Sequence, residues 1–275
     1  GNDLDKQLTE AGVLARRLPF QVDNTLRKAI NNGEVMFIDQ HLSETVEQMR
    51  NLQLKKPDVA IIEAIAITED GGIIPTTSVG NSASFAIFAE KVIVEINTNL
   101  SPAFEGLHDI YIPSYRPTRQ AIPLTQVDER IGTHAINIDP SKIVGIVINN
   151  EYHDSPSTVT EPDDETQGIA NHLINFFEQE VAAGRLPKDL GPLQAGIGSI
   201  ANAVLTGLKD SNFEDLVMYS EVLQDCTFEL IDAGKMKFAS GSSITLSAKY
   251  GEKVFNNLDA YKDKLVLRPQ EISNH

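Results

Sequence analysis

The sequence predicts an α/β protein with a mainly parallel sheet. Two observations support this class: short apolar runs rich in β-branched residues recur along the chain, and segments with the period of an amphipathic helix lie between them. Buried strands are expected at 35–38, 59–68, 92–96 and 143–148. Because these runs are almost continuously apolar, we expect the strands to be covered on both faces.

The first helices are expected between these strands, at 25–30 and 43–49. Ser43 has the side chain of a good N-cap, so the second of these helices is expected to begin there. Residues 70–72 (Asp-Gly-Gly) form a turn signal, and residues 78–81 (Ser-Val-Gly-Asn) precede a further predicted helix. Loops at the carboxyl ends of strands often carry function, so both segments are candidates for contact with substrate or with the second half of the chain.

The pattern changes at 151–165, where turn formers, polar residues and acids replace the alternation. This composition is typical of a connection between domains, so the sequence predicts a first domain at 1–152 and the beginning of a second domain at 163–275. The chain starts inside an amphipathic pattern and stops soon after a predicted strand and turn. We therefore expect it to be an interior piece of a longer polypeptide, with the second domain incomplete.

The second domain is expected to open with a long helix. Asp164 and Gln167 have the spacing of a capping box, and the helix is expected to end near Gly184. Its predicted apolar face consists of Ile169, Leu173, Phe176, Phe177 and Val181.

The charge of the chain disfavours two classes of partner. Its net charge is -16, which gives no electrostatic attraction to nucleic acid or to an anionic membrane surface. No apolar run reaches the roughly 18–20 residues that a transmembrane helix needs.

Cys226 is the only cysteine, so an intramolecular disulfide is impossible and a reducing, cytoplasmic compartment is expected.

A glycine turn in the second half is a candidate binding element. Gly196 and Gly198 precede a predicted helix whose apolar residues Ile200, Val204 and Leu208 recur every four positions. A turn of this kind presents backbone N–H groups at the positive end of a helix dipole, where they can hold a phosphate or a developing oxyanion. The same sequence is also compatible with an ordinary tight connection between a strand and a helix.

Glu221 follows the next predicted strand, 216–219. Open α/β sheets bind their ligands at the carboxyl ends of the strands, so the glycine turn and Glu221 are expected to converge. An ionised glutamate beside backbone donors can attack a thioester carbonyl while the donors stabilise the oxyanion. The alternative from the residues alone is a solvated or helix-capping glutamate.

Several long segments resemble the acetyl-CoA hydrolase/transferase family, close to the succinyl-CoA:acetate CoA-transferases. They are residues 219–225 (Tyr-Ser-Glu-Val-Leu-Gln-Asp), the glycine segment 193–205, residues 267–274 (Leu-Arg-Pro-Gln-Glu-Ile-Ser-Asn), residues 68–81 and residues 105–110. Together they span most of the chain in a fixed order, so the resemblance is specific. Cys226 departs from the family pattern, which has a small residue at that position.

The resemblance implies two related open α/β domains and a catalytic glutamate at Glu221. It places the oxyanion turn on Gly196, Ile197 and Gly198 and an active-site asparagine on Asn274. It further implies transfer of coenzyme A between an acyl-CoA and a small carboxylate through a glutamyl-CoA thioester, or hydrolysis of acetyl-CoA by the same nucleophile. Coenzyme A would be a substrate rather than a permanently bound cofactor, and the protein would be a homodimer.

Two other functions stay open at this point. A dinucleotide-binding domain could use the glycine turn, although residues 196–201 lack the third glycine of that fingerprint. Alternatively, the chain could be a scaffold without turnover. No metal is expected, because the histidines (His41, His108, His134, His153, His172 and His275) show no spacing that would place ligands on one face.

Overall fold

The computed structural model describes residues 2–19, 21–150 and 163–274. Most of the predicted connection at 151–165 lies outside the described residues, as do His153 and His275. The division of the chain into domains at 152 and 163 therefore stays a prediction.

Helices and strands alternate along the described residues, as expected for the α/β class. The helices are α1 (Asn2–Glu10), α2 (Asn24–Asn31), α3 (Leu42–Arg50), α4 (Ser82–Phe88), α5 (Asp164–Ala182), α6 (Ser199–Lys209), α7 (Asp225–Asp232), α8 (Ala248–Phe255) and α9 (Gln270–Ser273). Short 3-10 helices span Pro102–Phe104, Pro140–Lys142, Leu258–Ala260 and Lys262–Lys264. None of the helices in the described ranges combines the length and the apolar content needed to cross a membrane.

Two four-stranded sheets organise the two halves of the chain. The strands are β1 (Arg16–Arg17), β2 (Met36–Phe37), β3 (Val59–Ile67), β4 (Ile73–Pro75), β5 (Lys91–Asn97), β6 (Ile143–Asn149), β7 (Pro192–Leu193), β8 (Leu216–Tyr219), β9 (Val222–Leu223), β10 (Met236–Gly241), β11 (Ser243–Ile244) and β12 (Leu265–Leu267). The first sheet has the order β4-β3-β5-β6, in which only β4 is antiparallel to its neighbour, and the second has the parallel order β12-β10-β8-β7. The predicted α/β class with mainly parallel sheets is confirmed.

Three of the four expected early strands lie where the sequence predicts them, as β3, β5 and β6. The run at 35–38 forms only the two-residue strand β2, which pairs with β1 outside the two large sheets. The 216–219 strand is found as β8.

Among the described residues, the predicted cover on both faces of these strands is found on one face of the first sheet only. Along β3, Ile62 is 2% exposed whereas Ile61 is 68% exposed, and along the edge strand β6 Ile146 and Ile148 are 57% and 66% exposed. Helix α4 contacts β3. One face of the sheet therefore packs on the core, and within the described residues the other lies open at β3 and β6, because a continuous apolar run does not by itself supply a cover for both faces.

The start of α3 differs from the prediction. His41 is the N-cap and makes no capping hydrogen bond through its side chain, while Ser43 lies inside the helix. The predicted Ser43 cap is therefore wrong, because the extended backbone at the entry to the helix falls at His41.

The start of α5 is displaced by one residue from the prediction. Asp163 is the N-cap, and its Oδ1 accepts a hydrogen bond from the Thr166 backbone N–H at 2.9 Å. The capping box predicted at Asp164 is therefore wrong. Gln167 donates instead to Asn171 Oδ1, at 3.1 Å, along the helix surface.

Helices α5 and α6 pack against each other beside the second sheet. Phe177 and Val181 of the predicted α5 face pack against the core, but Phe176 is 51% exposed. On α6, Leu208 is 1% exposed and Ile200 is 49% exposed. The apolar stripe of each helix is thus only partly buried in the described structure.

One hydrophobic cluster contains residues of both halves of the chain, for example Val94 and Phe104 with Leu216 and Phe228. Backbone hydrogen bonds also join the halves: the Val79 N–H donates to the Ser242 carbonyl at 2.9 Å. The 78–81 loop is thereby held against the second sheet.

Candidate active site

The strand β8 delivers Ser220 and Glu221 to its carboxyl end, as the sequence predicts. The Glu221 carbonyl accepts hydrogen bonds from the backbone N–H groups of Ser242 at 2.6 Å and Ser243 at 3.2 Å. Ser220 is buried and Glu221 is half-buried. The backbone that carries the carboxylate is therefore fixed, while its side chain keeps access to solvent.

The Glu221 carboxylate accepts a hydrogen bond from Gln270. The distance from Gln270 Nε2 to Glu221 Oε1 is 2.7 Å, and the Gln270 backbone N–H donates to the Gly80 carbonyl at 2.8 Å. The 78–81 loop thus contacts the residue that holds Glu221. This contact joins the three segments 78–81, 219–225 and 267–274 at one place.

The glycine turn lies beside the same strand end. Strand β7 pairs with β8, and the Ser220 hydroxyl donates to the Ala195 carbonyl at 3.0 Å and accepts from the Ala195 N–H at 3.3 Å. The Gln224 amide donates to the Gly196 carbonyl at 3.4 Å. These contacts bring the turn next to Glu221.

Gly198 is the N-cap of α6, with φ of +155°, a conformation that favours glycine. It provides no side-chain cap. The N–H groups of the first helical turn have no intrahelical partner, so this helix end can accept an anion.

An apolar groove of about 580 Å³ borders the turn. It is lined by residues of 193–201 and by α5 and α6 side chains that include Leu173, Phe177 and Val204. Ile197 is 72% exposed at this groove, and Glu221 is not among the lining residues. An apolar surface therefore lies beside the glycine turn.

Asn274 follows α9 directly. Its backbone N–H donates to the Gln270 carbonyl at 2.9 Å, and its Oδ1 accepts from the Ser273 hydroxyl at 2.8 Å. The structure therefore places Asn274 one helical turn from the residue that binds Glu221, while its predicted role in binding an oxyanion stays a prediction.

Buried contacts hold α9 in place. Arg50 of α3 donates to both carboxylate oxygens of Glu271 at 2.8 Å, and their side chains are 1% and 4% exposed. Burial raises the pKa of Glu271, and the Arg50 guanidinium opposes that rise. The Tyr219 hydroxyl donates to the Ile272 carbonyl at 2.5 Å. Two consecutive α9 residues are thus fixed by α3 and β8.

Gln270 is the site residue that the sequence reasoning missed. It lies four residues before Asn274, a spacing that places two amides on one helical face. That spacing within 267–274 is the signal that could have identified it.

Cys226 is buried in α7, with Sγ 3.7 Å from Asn202 Oδ1. Burial raises the pKa of its thiol to about 12, and the negative charge of Glu229 adds to the rise. The thiol is thus protonated at neutral pH and lacks the thiolate form that nucleophilic attack requires.

The other sequence candidates lie away from Glu221 or have structural contacts. Residues 70–72 form a turn in which Asp70 accepts from the Thr68 hydroxyl. His108 is buried, and its Nε2 donates to the Thr76 carbonyl at 2.8 Å. Within the ranges that the structure describes, no group of three His, Cys, Asp or Glu side chains could hold a metal ion.

Comparison with known proteins assigns this chain to a family. A family model described as the acetyl-CoA hydrolase/transferase N-terminal domain matches residues 1–148. The chain is 46% identical to an acetyl-CoA hydrolase of Schizosaccharomyces pombe, over 100% of this chain and 54% of that protein. It is 43% identical to a succinyl-CoA:acetate CoA-transferase of Clostridium kluyveri, over 100% of this chain and 51% of that protein. The chain thus spans about half the length of these relatives.

Solved structures share the fold. A 4-hydroxybutyrate CoA-transferase from Porphyromonas gingivalis has a TM-score of 0.58 and 19% identity, over 98% of this chain and 61% of that one. RipA from Yersinia pestis has a TM-score of 0.64 and 17% identity, over 96% of this chain and 54% of that one. At this identity the likeness establishes the CoA-transferase-like α/β fold alone.

Proposed function

The chain belongs to the acetyl-CoA hydrolase/transferase family, and on this basis we propose that the protein transfers coenzyme A between an acyl-CoA and a small carboxylate. Acetyl-CoA and succinyl-CoA are the proposed acyl donors. Hydrolysis of acetyl-CoA is the same chemistry with water as the final acceptor. The observation that carries the proposal is the placement of Glu221 beside the glycine turn, with its carboxylate held by Gln270.

In the proposed reaction, Glu221 Oε2 attacks the thioester carbonyl carbon of the acyl-CoA. The new C–O bond forms, the C–S bond breaks, and coenzyme A leaves as a thiolate, which gives an acyl-glutamyl anhydride. The thiolate then attacks the glutamyl carbonyl carbon and expels the acyl group as a carboxylate. The product is a glutamyl-CoA thioester, which an acceptor carboxylate or water resolves.

The N–H groups at 196–198 are the proposed donors to the oxyanion of the attacked acyl group, and Asn274 is proposed to donate through its amide. Uncapped N–H groups at the start of α6 support the first role, because they lie next to the strand end that carries Glu221. The position of Asn274 one turn after Gln270 supports the second.

Labelling of Glu221 tests the proposal. The complete protein is incubated with acetyl-CoA, treated with hydroxylamine or borohydride, and analysed by peptide mass spectrometry. We expect modification at Glu221 in the wild type, and loss of at least about 10⁴-fold in turnover for Glu221→Ala. Glu252→Ala, at an exposed position of α8, is the matched control and should remain active.

Three results would contradict the proposal. If the wild type turns over acetyl-CoA without any adduct at Glu221, the nucleophile is wrong. If it binds NADH tightly and shows no adduct and no turnover, a dinucleotide-binding domain is the better assignment. Folded protein with neither activity would support a scaffold.

The final acceptor, a carboxylate or water, distinguishes a transferase from a hydrolase. The chain matches one relative named as a hydrolase and one named as a transferase. An exchange assay with acetyl-CoA against succinate, acetate, propionate and butyrate, with hydrolysis measured in parallel, separates the two activities.

The proposed setting is the cytoplasm, and the proposed assembly is a homodimer without nucleic-acid or membrane partners. The single cysteine and the net charge of -16 support the compartment and the absence of polyanionic partners. Light scattering of the complete protein tests the dimer.

A further inference from the structure

We propose that Gln270 is a second catalytic residue, which donates a hydrogen bond to the glutamyl oxygen that becomes negative each time acylated Glu221 is attacked. This inference rests on the function proposed for Glu221. It assigns to Gln270 the stabilisation of a different oxyanion from the one that the glycine turn would bind.

The contact distinguishes the two oxygens of the carboxylate. Gln270 Nε2 lies 2.7 Å from Glu221 Oε1, and among the described residues Oε2 accepts no hydrogen bond. An ionised carboxylate only accepts, so the amide must present its N–H group. Oε2 is then the oxygen that is free to attack the substrate, and Oε1 becomes the carbonyl oxygen of the acylated glutamate.

That carbonyl is the centre attacked in the later steps. When the coenzyme A thiolate attacks the anhydride at the glutamyl carbon, a C–S bond forms and one C=O electron pair moves onto Oε1. The pair returns as the C–O bond to the acyl group breaks, and the acyl group leaves as a carboxylate. The charge is -1 before and after the step, and at its midpoint this charge rests on Oε1, where the Gln270 amide is already in place.

Attack on the glutamyl thioester places charge on the same atom. An acceptor carboxylate adds to the glutamyl carbon, Oε1 becomes negative again, and coenzyme A leaves as a thiolate; when water adds instead, the proton that it loses is taken up by the departing coenzyme A, which leaves as a thiol. A donor that is fixed beforehand stabilises such a charge without reorganising during the step.

The surrounding contacts fix this donor. The Gln270 backbone donates to the Gly80 carbonyl at 2.8 Å, and the adjacent Glu271 is tied to Arg50 by a buried ion pair. Gln270 is therefore anchored through its main chain and through the adjacent residue, and its amide reaches Glu221 from a helix that packs against α3.

Three substitutions in the complete protein test this role. Gln270→Met keeps the approximate shape and removes the donor, Gln270→Lys keeps a donor, and Gln270→Glu replaces the donor with an acceptor. Gln179→Met, at an exposed position of α5, is the matched control. Steady-state kcat and KM are measured with acetyl-CoA, together with the single-turnover rate at which the glutamyl thioester is discharged by acetate.

We expect kcat and the discharge rate to fall about 10- to 100-fold in Gln270→Met, as for loss of a hydrogen bond to a charged oxygen, with KM for acetyl-CoA within about twofold of the wild type. Both rates are expected to be highest in the wild type and to decrease in the order Gln270→Lys, Gln270→Met, Gln270→Glu. The Gln179→Met control should equal the wild type.

A packing role makes different predictions. If Gln270 only packs, Gln270→Met should either turn over like the wild type or lose thermal stability and gain a higher KM together. In both cases the kcat of Gln270→Lys should be no higher than that of Gln270→Met. Either result overturns the role of Gln270 while an adduct at Glu221 still supports the proposed function. Absence of the adduct from the wild type refutes the proposed function, and the role of Gln270 with it.

Discussion

His108 should make the stability of the fold depend on pH in the mildly acidic range. Its side chain is buried, with the residue 1% exposed, and its Nε2 donates to the Thr76 carbonyl at 2.8 Å. The other ring nitrogen, Nδ1, has no hydrogen-bond partner among the residues the structure describes. Burial lowers the pKa of His108 from 6.5 to about 4, and the bond to Thr76 opposes that fall only in part. The folded protein therefore keeps this ring neutral.

The direction of this pH dependence follows from comparing the folded protein with the unfolded chain. In the unfolded chain the ring takes up a proton near its ordinary pKa of about 6.5, whereas in the folded protein it does so only near 4. The contribution of His108 to the free energy of unfolding is therefore fully present above about pH 6.5 and is lost as the pH falls towards 4. The difference of about 2.5 between the two pKa values corresponds to roughly 3 kcal/mol in total, of which about 2 kcal/mol is lost by pH 5.

Urea unfolding at about pH 7, 6 and 5 measures this loss. We compare the wild type with His108→Gln, which removes the titrating ring, and with His172→Gln, an exposed position on α5. The stability lost between pH 7 and pH 5 should be about 2 kcal/mol smaller in His108→Gln than in the wild type, and unchanged in His172→Gln. An equal loss in all three proteins would refute the assignment.

Further substitutions test the connections between segments. Arg268→Met should cost about 3–5 kcal/mol in urea unfolding, because Arg268 and Asp109 form an ion pair in which the two side chains are 0% and 1% exposed. Combining it with Asp109→Asn should cost less than the sum of the single changes, and strict additivity would show that the pair is uncoupled. Gly132→Ala should cost about 1–3 kcal/mol, because a Cβ there would lie 2.2 Å from the Ile110 carbonyl oxygen. Gly168→Ala, whose Cβ would meet nothing within 4 Å, is its control and should not lose stability.

The sequence predicts the long strands better than the short ones. Strands β3, β5 and β6 are long apolar runs, and each contains enough residues for the period to be recognised. Strands β9 and β11 have two residues each and pair with one another, and Ser243 of β11 also bridges Ser78. No periodicity exists in two residues, so such strands are defined by tertiary contacts alone.

Helix starts show a second limit. Asp163 and Asp164 are the same residue type in adjacent positions, and either could cap α5 by its chemistry. The backbone at Asp163 is extended, with φ of -87° and ψ of 175°, and this conformation selects it. Because the backbone conformation at the entry depends on what precedes the helix, composition alone cannot choose between the two.

The position of Glu221 could be predicted because it depends on one local rule. Residues just after a parallel strand lie at the edge of the sheet where ligands bind, so strand β8 alone predicts where Glu221 lies, while its proposed role comes from the family resemblance. The glycine turn follows from the same rule applied to the neighbouring strand β7.

Gln270 obeys no such rule, since it reaches Glu221 across 49 positions of the chain. Helix α9 has only four residues, too short to bury a defined face by its own periodicity. Glu271 of this helix instead forms a buried ion pair with Arg50, which is 221 positions away. The sequence motif at 267–274 therefore identifies the segment, but the amide that contacts Glu221 belongs to a helix held by long-range buried contacts, which no local pattern encodes.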